Sequence, residues 1–170
     1  MEGPTSSSYR EWDKADRDGK WFWSGRNPND RILNAVRPLA VDYAERLWRW
    51  IFPTKEEVLP LIAKTKKGWL SKVFENEAIY FGGTQAPSLS SILQRHFKWN
   101  GNETVFFLTR CGTGYETRWA DFIKYCEWFL GWYDEGLLFH PTAREVTVFW
   151  EECAMFVGRR SERKLKLLEA

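Results

Sequence analysis

Few residues in this chain have the types and spacing that chemistry needs. A cysteine–histidine nucleophilic pair must involve His96 or His140. Cys126 falls on the core face of its predicted helix, where a thiol is inert. Cys111 lies beside Arg110, whose charge favours a thiolate, but no third, orienting group is identifiable. Carboxylates are frequent late in the chain (Glu116, Asp121, Glu127, Asp134, Glu135, Glu151, Glu152). Paired carboxylates do acid–base work when their environments differ; nothing fixes such a pair here, and a solvated face accounts for them. Asp13, Asp16, Asp18 and Gly19 suggest a calcium loop, yet aligning Gly19 with the loop glycine puts Lys14 at the first ligand position and Gly25 where the bidentate glutamate belongs. Cys111, Cys126 and Cys153 are odd in number and far apart, without metal-ligand spacing. No metal and no cofactor is expected.

Two glycine loops remain. Gly82-Gly83-Thr84 and Gly112-Thr113-Gly114 match no phosphate-binding fingerprint. The second lies between a predicted strand and a predicted helix, a place where backbone N–H groups hold anions. Arg110 and Arg118 flank it, so Arg110, Gly112, Gly114 and Arg118 form an alternative ligand loop.

The aromatic content is the stronger signal. Eleven Trp, 12 Phe and 6 Tyr make the chain 17% aromatic. Each ring buries ~150–250 Å², so this many either fill a dense core or form a surface meant for a partner. A helix is predicted from about Arg118 to Trp132. At ~100° per residue from Trp119, a core face collects Trp119, Phe122, Ile123, Cys126, Leu130 and Tyr133 within about 60° of zero. Asp121, Trp128, Trp132 and Tyr125 fall at roughly 200°, 180°, 220° and 240°, where a helix on a sheet is normally polar. Two explanations compete. The N-terminal residues, including Trp21 and Trp23, cover this flank, or it is an exposed patch that binds a partner. Asp134 and Glu135 would then form an acidic rim.

The elements that position these residues read as one domain of 20.2 kDa. Residues 1–11 are predicted as a flexible arm, 12–100 as a mainly helical part, 101–158 as a strand–helix–strand–strand–strand part, and 159–170 as a charged tail. In the first part, Pro38 suits a first helical position, with Ala40, Tyr43, Ala44, Leu47 and Ile51 inward. Thr54 and Glu57 have capping-box spacing. Residues 78–81 suggest a short strand. Ser88 caps a helix through Phe97, with His96 on its inner face. In the second, Thr104–Thr109 is apolar on both faces, as in a central strand. Residues 111–115 read as a loop, Thr117 as a helix cap, and 137–139, 145–150 and 154–157 as strands. The order predicts an α+β fold, with N-terminal helices and one central amphipathic helix packed on one face of a mostly antiparallel sheet.

Composition narrows the function classes. A net charge of +2, from 25 basic and 23 acidic residues, argues against a nucleic-acid binder. Residues 1–8 are polar with no apolar run behind them, and no stretch approaches 18 apolar residues. Neither a signal peptide nor a membrane span is expected, and reduced thiols fit a cytoplasmic protein.

Two stretches resemble a family of small, uncharacterised bacterial proteins. The first is Arg37-Pro38-Leu39 with Ala44, Leu47 and Trp48. The second comprises Thr104-Val105-Phe106-Phe107, Glu116-Thr117, Trp119, Phe122, Phe129-Leu130, Asp134, Gly136-Leu137-Leu138, Val146, Val148-Phe149 and Gly158. The chain departs from the pattern at Leu137, where the family would place a proline. This resemblance implies a fold and no activity. At the level of class, a small, Trp-rich and acid-rich chain is similar to bacterial immunity proteins that neutralise toxins.

The resulting expectation is a non-enzymatic binding protein that occludes a cognate protein toxin through Asp121, Tyr125, Trp128, Trp132, Asp134 and Glu135. The alternative is a small-molecule or nucleotide-binding protein with a ring-lined pocket beside the Gly112 loop. A concave pocket favours the second reading and a flat aromatic–acidic surface the first. A monomer and a homodimer are both compatible with the sequence.

Overall fold

The structure is a computed structural model and describes residues 4–13, 30–51, 77–80, 88–130, 136–143, 145–150 and 154–159. The expectations for Trp21, Trp23, Thr54, Glu57 and the 160–170 segment lie outside these residues.

The fold is α+β, built on a seven-stranded sheet. The strands are β1 (Val36–Pro38), β2 (Glu77–Tyr80), β3 (Thr104–Arg110), β4 (Thr113–Arg118), β5 (Gly136–Phe139), β6 (Glu145–Trp150) and β7 (Ala154–Arg159). Their spatial order is β1-β4-β3-β5-β6-β7-β2, and every neighbouring pair is antiparallel. The late part of the chain supplies the five inner strands, while the earlier part supplies the two outer ones. The helices are α1 (Asp30–Ala35), α2 (Val41–Ile51), α3 (Leu89–His96) and α4 (Trp119–Leu130).

β3 shows why the inner strands form. Its Val105 and Phe107 point to one face and Phe106 and Leu108 to the other, and all four are buried. A strand apolar on both sides needs cover on both sides, and the helices divide accordingly. α2 lays Tyr43, Ala44, Leu47, Trp48 and Ile51 on the face of Phe106, Leu108, Leu137 and Phe139. α3 and α4 cover the face of Phe107, Tyr115, Leu138 and Phe149. The expectation of helices on one face is thus corrected: the sheet is sandwiched. Each large side chain so buried contributes about 1.5–3 kcal/mol.

Local signals hold at α3. Ser88 Oγ accepts from Ser91 N at 3.3 Å, and Leu89, Ile92, Leu93 and Phe97 are buried. His96, expected inward, is exposed. Pro38 does not start a helix. It ends β1 opposite Tyr115, and α2 begins three residues later. A proline lacks the N–H that an inner strand must supply, so an outer strand is where it is tolerated.

The N-terminal segment is not a loose arm in residues 4–13. Arg10 N donates to Pro38 O at 3.1 Å and Ala40 N to Ser8 O at 2.8 Å, so residues 8–10 pair with residues 38–40. Tyr9 then packs on the α2 side of the sheet and Trp12 on the α4 side. Tyr9 donates its hydroxyl proton to Glu116 Oε2 at 2.7 Å, and the Arg37 guanidinium stacks on its ring at 3.4 Å. Burial, then the hydrogen bond and charge of Glu116, hold the Tyr9 hydroxyl well above the usual phenol range. Trp12 stacks on Tyr115 at 5.8 Å and donates Nε1–H to Leu33 O at 3.2 Å.

Candidate partner-binding surface

Helix α4 carries the sequence-predicted site, and the turn before β3 sets where it starts. Asn100 Oδ1 accepts from Asn102 N, and Glu103 N donates to Asn100 O. That turn aims two carbonyls at the helix: Trp119 N donates to Glu103 O at 2.8 Å and Ala120 N to Gly101 O at 3.0 Å. Two of the N-terminal N–H groups that a helix leaves unpaired are thereby satisfied. Thr117, expected as the cap, instead belongs to β4 and donates its hydroxyl proton to Ala35 O at 2.8 Å.

The core face of α4 follows the predicted spacing. Trp119, Phe122, Cys126 and Leu130 are buried, joined by Phe129, while Ile123 is half-buried. The helix is kinked at Tyr125, whose φ of −117° and ψ of 16° leave the helical region. Ala120, Lys124 and Glu127 form the exposed ridge. Asp121, Tyr125 and Trp128 are half-buried on the flank of that ridge, with Tyr125 and Trp128 packed against the core margin. The Lys124 ammonium sits 5.1 Å from the Tyr125 ring centroid. Trp132, Asp134 and Glu135 lie outside the described residues.

On the other side of the ridge is a feature that the sequence did not suggest. An open groove of about 460 Å³ runs between the end of α3 and the start of α4. Phe97, Trp99, Trp119 and Ile123 form its floor, with Gln94 and Lys98 on its rim. Trp99 joins the rings of Phe97 at 4.6 Å, Trp119 at 5.0 Å and His140 at 5.4 Å. The signal for it was the Phe97-Lys98-Trp99 run, whose place against α4 depends on the chain reversal at residues 100–103.

His140 props up that ring cluster. Its Nδ1 accepts from Thr142 N at 3.2 Å and Ala143 N at 3.0 Å, which leaves the proton of the neutral ring on Nε2, 3.9 Å from Glu103 Oε1. The nitrogen that would act as a base is already occupied. Cys111 follows the far end of β3, while His140 follows Phe139, which pairs with Phe106. The two are separated by about six residues of strand, roughly 20 Å, so they form no nucleophilic pair. Burial, then the Glu127 charge, pushes the Cys126 thiol up to about 11. Only roughly one molecule in a few thousand then carries the thiolate at pH 7.5. Alkylation by iodoacetamide followed by mass spectrometry is expected to leave Cys126 unmodified at neutral pH and to reach it as pH approaches 11. Rapid labelling at pH 7.5 in the folded chain would contradict that packing.

The Gly112 loop resolves differently from its expectation. Residues 111–112 are a two-residue hairpin turn, and Gly112 supplies the positive φ of 79° that it requires. Gly114 is inside β4, where the Leu108 side chain fills the space a Cβ would need. Arg110 pairs with Thr113 and Arg118 with Thr104, at opposite ends of β4 and roughly 17 Å apart. The structure therefore does not bring Arg110, Gly112, Gly114 and Arg118 together. A Cβ on Gly112 would also lie 3.8 Å from Glu45 Oε1, a carboxylate where an anion would have to approach. Among the described residues, no cluster of three His, Cys, Asp or Glu side chains has the geometry to hold a metal ion, and no helix is long and apolar enough to cross a membrane.

No curated protein and no solved structure matches the chain. A family model does, over residues 14–158, a span that takes in β1 to β6, all of β7 but its last residue, α1 to α4 and both flanks of α4. On that match the chain belongs to DUF2947, a family of proteins of unknown function.

Proposed function

We propose that this protein is a non-enzymatic protein-binding module, an immunity protein that occludes the active site of a cognate bacterial toxin with helix α4 at the contact. The observation that carries the binding part is the flank of α4. Asp121, Tyr125 and Trp128 keep part of their surface in solvent on a helix whose other side is packed into the core. Aromatic side chains on a rigid element give large contact area at little entropic cost, and a carboxylate beside them steers encounter. The toxin as partner rests on the class-level likeness, with Trp132, Asp134 and Glu135 extending the proposed contact.

Trp128→Ala is expected to cost at least ~2 kcal/mol of binding, about 30-fold in Kd. The measurement is capture from a lysate of the source organism, then titration of the captured protein with both baits. Because Trp128 also packs on the core margin, circular dichroism must show the variant folded. Wild-type affinity in a folded variant would remove α4 from the contact.

The groove supports a second reading, a small-molecule binder. Its volume lies in the range of ligand sites, and its floor is made of rings. It sits beside Trp99 and not beside Gly112.

A further inference from the structure

We propose that the groove between α3 and α4 is an anchor pocket for an aromatic side chain of the protein partner with a carboxylate residue next to it. This rests on the protein-binding reading and names the chemistry of the partner's contact. The floor asks for a ring. Phe97 and Trp119 are almost wholly buried and supply the base, while Trp99 is half-buried, so its outer part still meets solvent. Its inner part is already engaged at 4.6–5.4 Å by three rings, separations at which aromatic pairs attract in tilted or edge-on geometry. A guest ring continues that stack and releases water from an apolar floor.

The rim asks for a negative charge. Among the described residues, Lys98 is the one charged residue lining the groove, and none that lines it is acidic. Lys98 is exposed, and its ammonium makes one long hydrogen bond, to Gln94 O at 3.4 Å. An ammonium has three donors, which leaves capacity for a carboxylate at the mouth. A basic neighbour on the guest would meet the same ammonium and be repelled. An aromatic–acidic dipeptide therefore fits, and an aromatic–basic one does not.

The test uses the full chain, labelled with nitrogen-15, and N-acetyl-Trp-Asp-amide as probe, with N-acetyl-Trp-Lys-amide as control. The expected result is saturable shifts at the Trp99 indole N–H and the Gly101 and Ala120 amides, with millimolar affinity and at least ~fivefold weaker binding of the control. In Lys98→Glu the order of the two peptides should reverse. The pocket is overturned by silence at those three positions, or by equal binding of both peptides. Capture experiments separate this from the parent reading. A partner lost with Trp128→Ala but held at wild-type affinity by Lys98→Glu and Trp99→Ala overturns the pocket and leaves the binding module standing. Dipeptide binding as expected with no protein captured by wild type keeps the chemistry but overturns a protein as its source.

Discussion

Phe107→Ala is expected to lower the unfolding free energy by about 3–5 kcal/mol, the range for removing a fully buried phenylalanine. Phe107 has no solvent exposure. It stands on β3 between Tyr115 of β4 and Leu138 of β5. Its ring meets Phe122 at 5.7 Å, Phe129 at 5.6 Å and Phe149 at 6.1 Å, so it joins α4 to the sheet. Four rings that lean on one another relax poorly into a void, which favours the upper part of that range. Urea denaturation followed by circular dichroism is the measurement. A loss below ~1.5 kcal/mol would show that the neighbouring rings close the gap.

Gly136→Val is expected to cost about 3 kcal/mol, by overpacking. Gly136 opens β5, and its backbone is that of an ordinary strand; Gly112 is the glycine with positive φ among the described residues. The requirement is therefore space. A Cβ there would run into Cζ and Cε2 of the Phe107 ring, which lies across the glycine. The ring cannot withdraw, because Phe122, Phe129 and Phe149 hold it. The two substitutions must then be coupled. In the Phe107→Ala background, Gly136→Val should cost at least ~1 kcal/mol less than in wild type. Strict additivity would mean that the glycine serves something other than the ring.

What the sequence made legible and what it did not divide along a physical line. Thr104–Thr109 could be read because an inner strand has no polar face to confuse it. The Ser88 cap and the turn at Asn100-Gly101 were also legible, since both are set within three or four residues. The core stripe of α4 follows from helical spacing alone. The misplacements depend on pairing between strands and layers, which local spacing does not record. Pro38 looks like a helix start until β4 arrives to pair with β1. Gly114 looks like a loop until Leu108 fills its missing side chain. Helices on two faces are not written in either helix, because the choice lies with the sheet. The candidate site shows the same split. Asp121, Tyr125 and Trp128 could be set on a flank from spacing, whereas the groove needs the end of α3 beside the start of α4.

The docking of the arm has a consequence for the order in which a ribosome releases this chain. Tyr9 and Trp12 leave the tunnel early, but Glu116 follows Tyr9 by 107 positions, and the Tyr115 ring under Trp12 comes just as late. At ~5–20 residues per second, the arm waits roughly 5–20 s for the surfaces that hold it. Until then its two aromatics have no sheet to clasp, and β1 lacks its inner neighbour β4. The segment that holds Tyr9 and Trp12 thus docks only after β4 has emerged, while β5 to β7 are still to come. A nascent chain halted before β4 emerges would carry both adhesive ends at once.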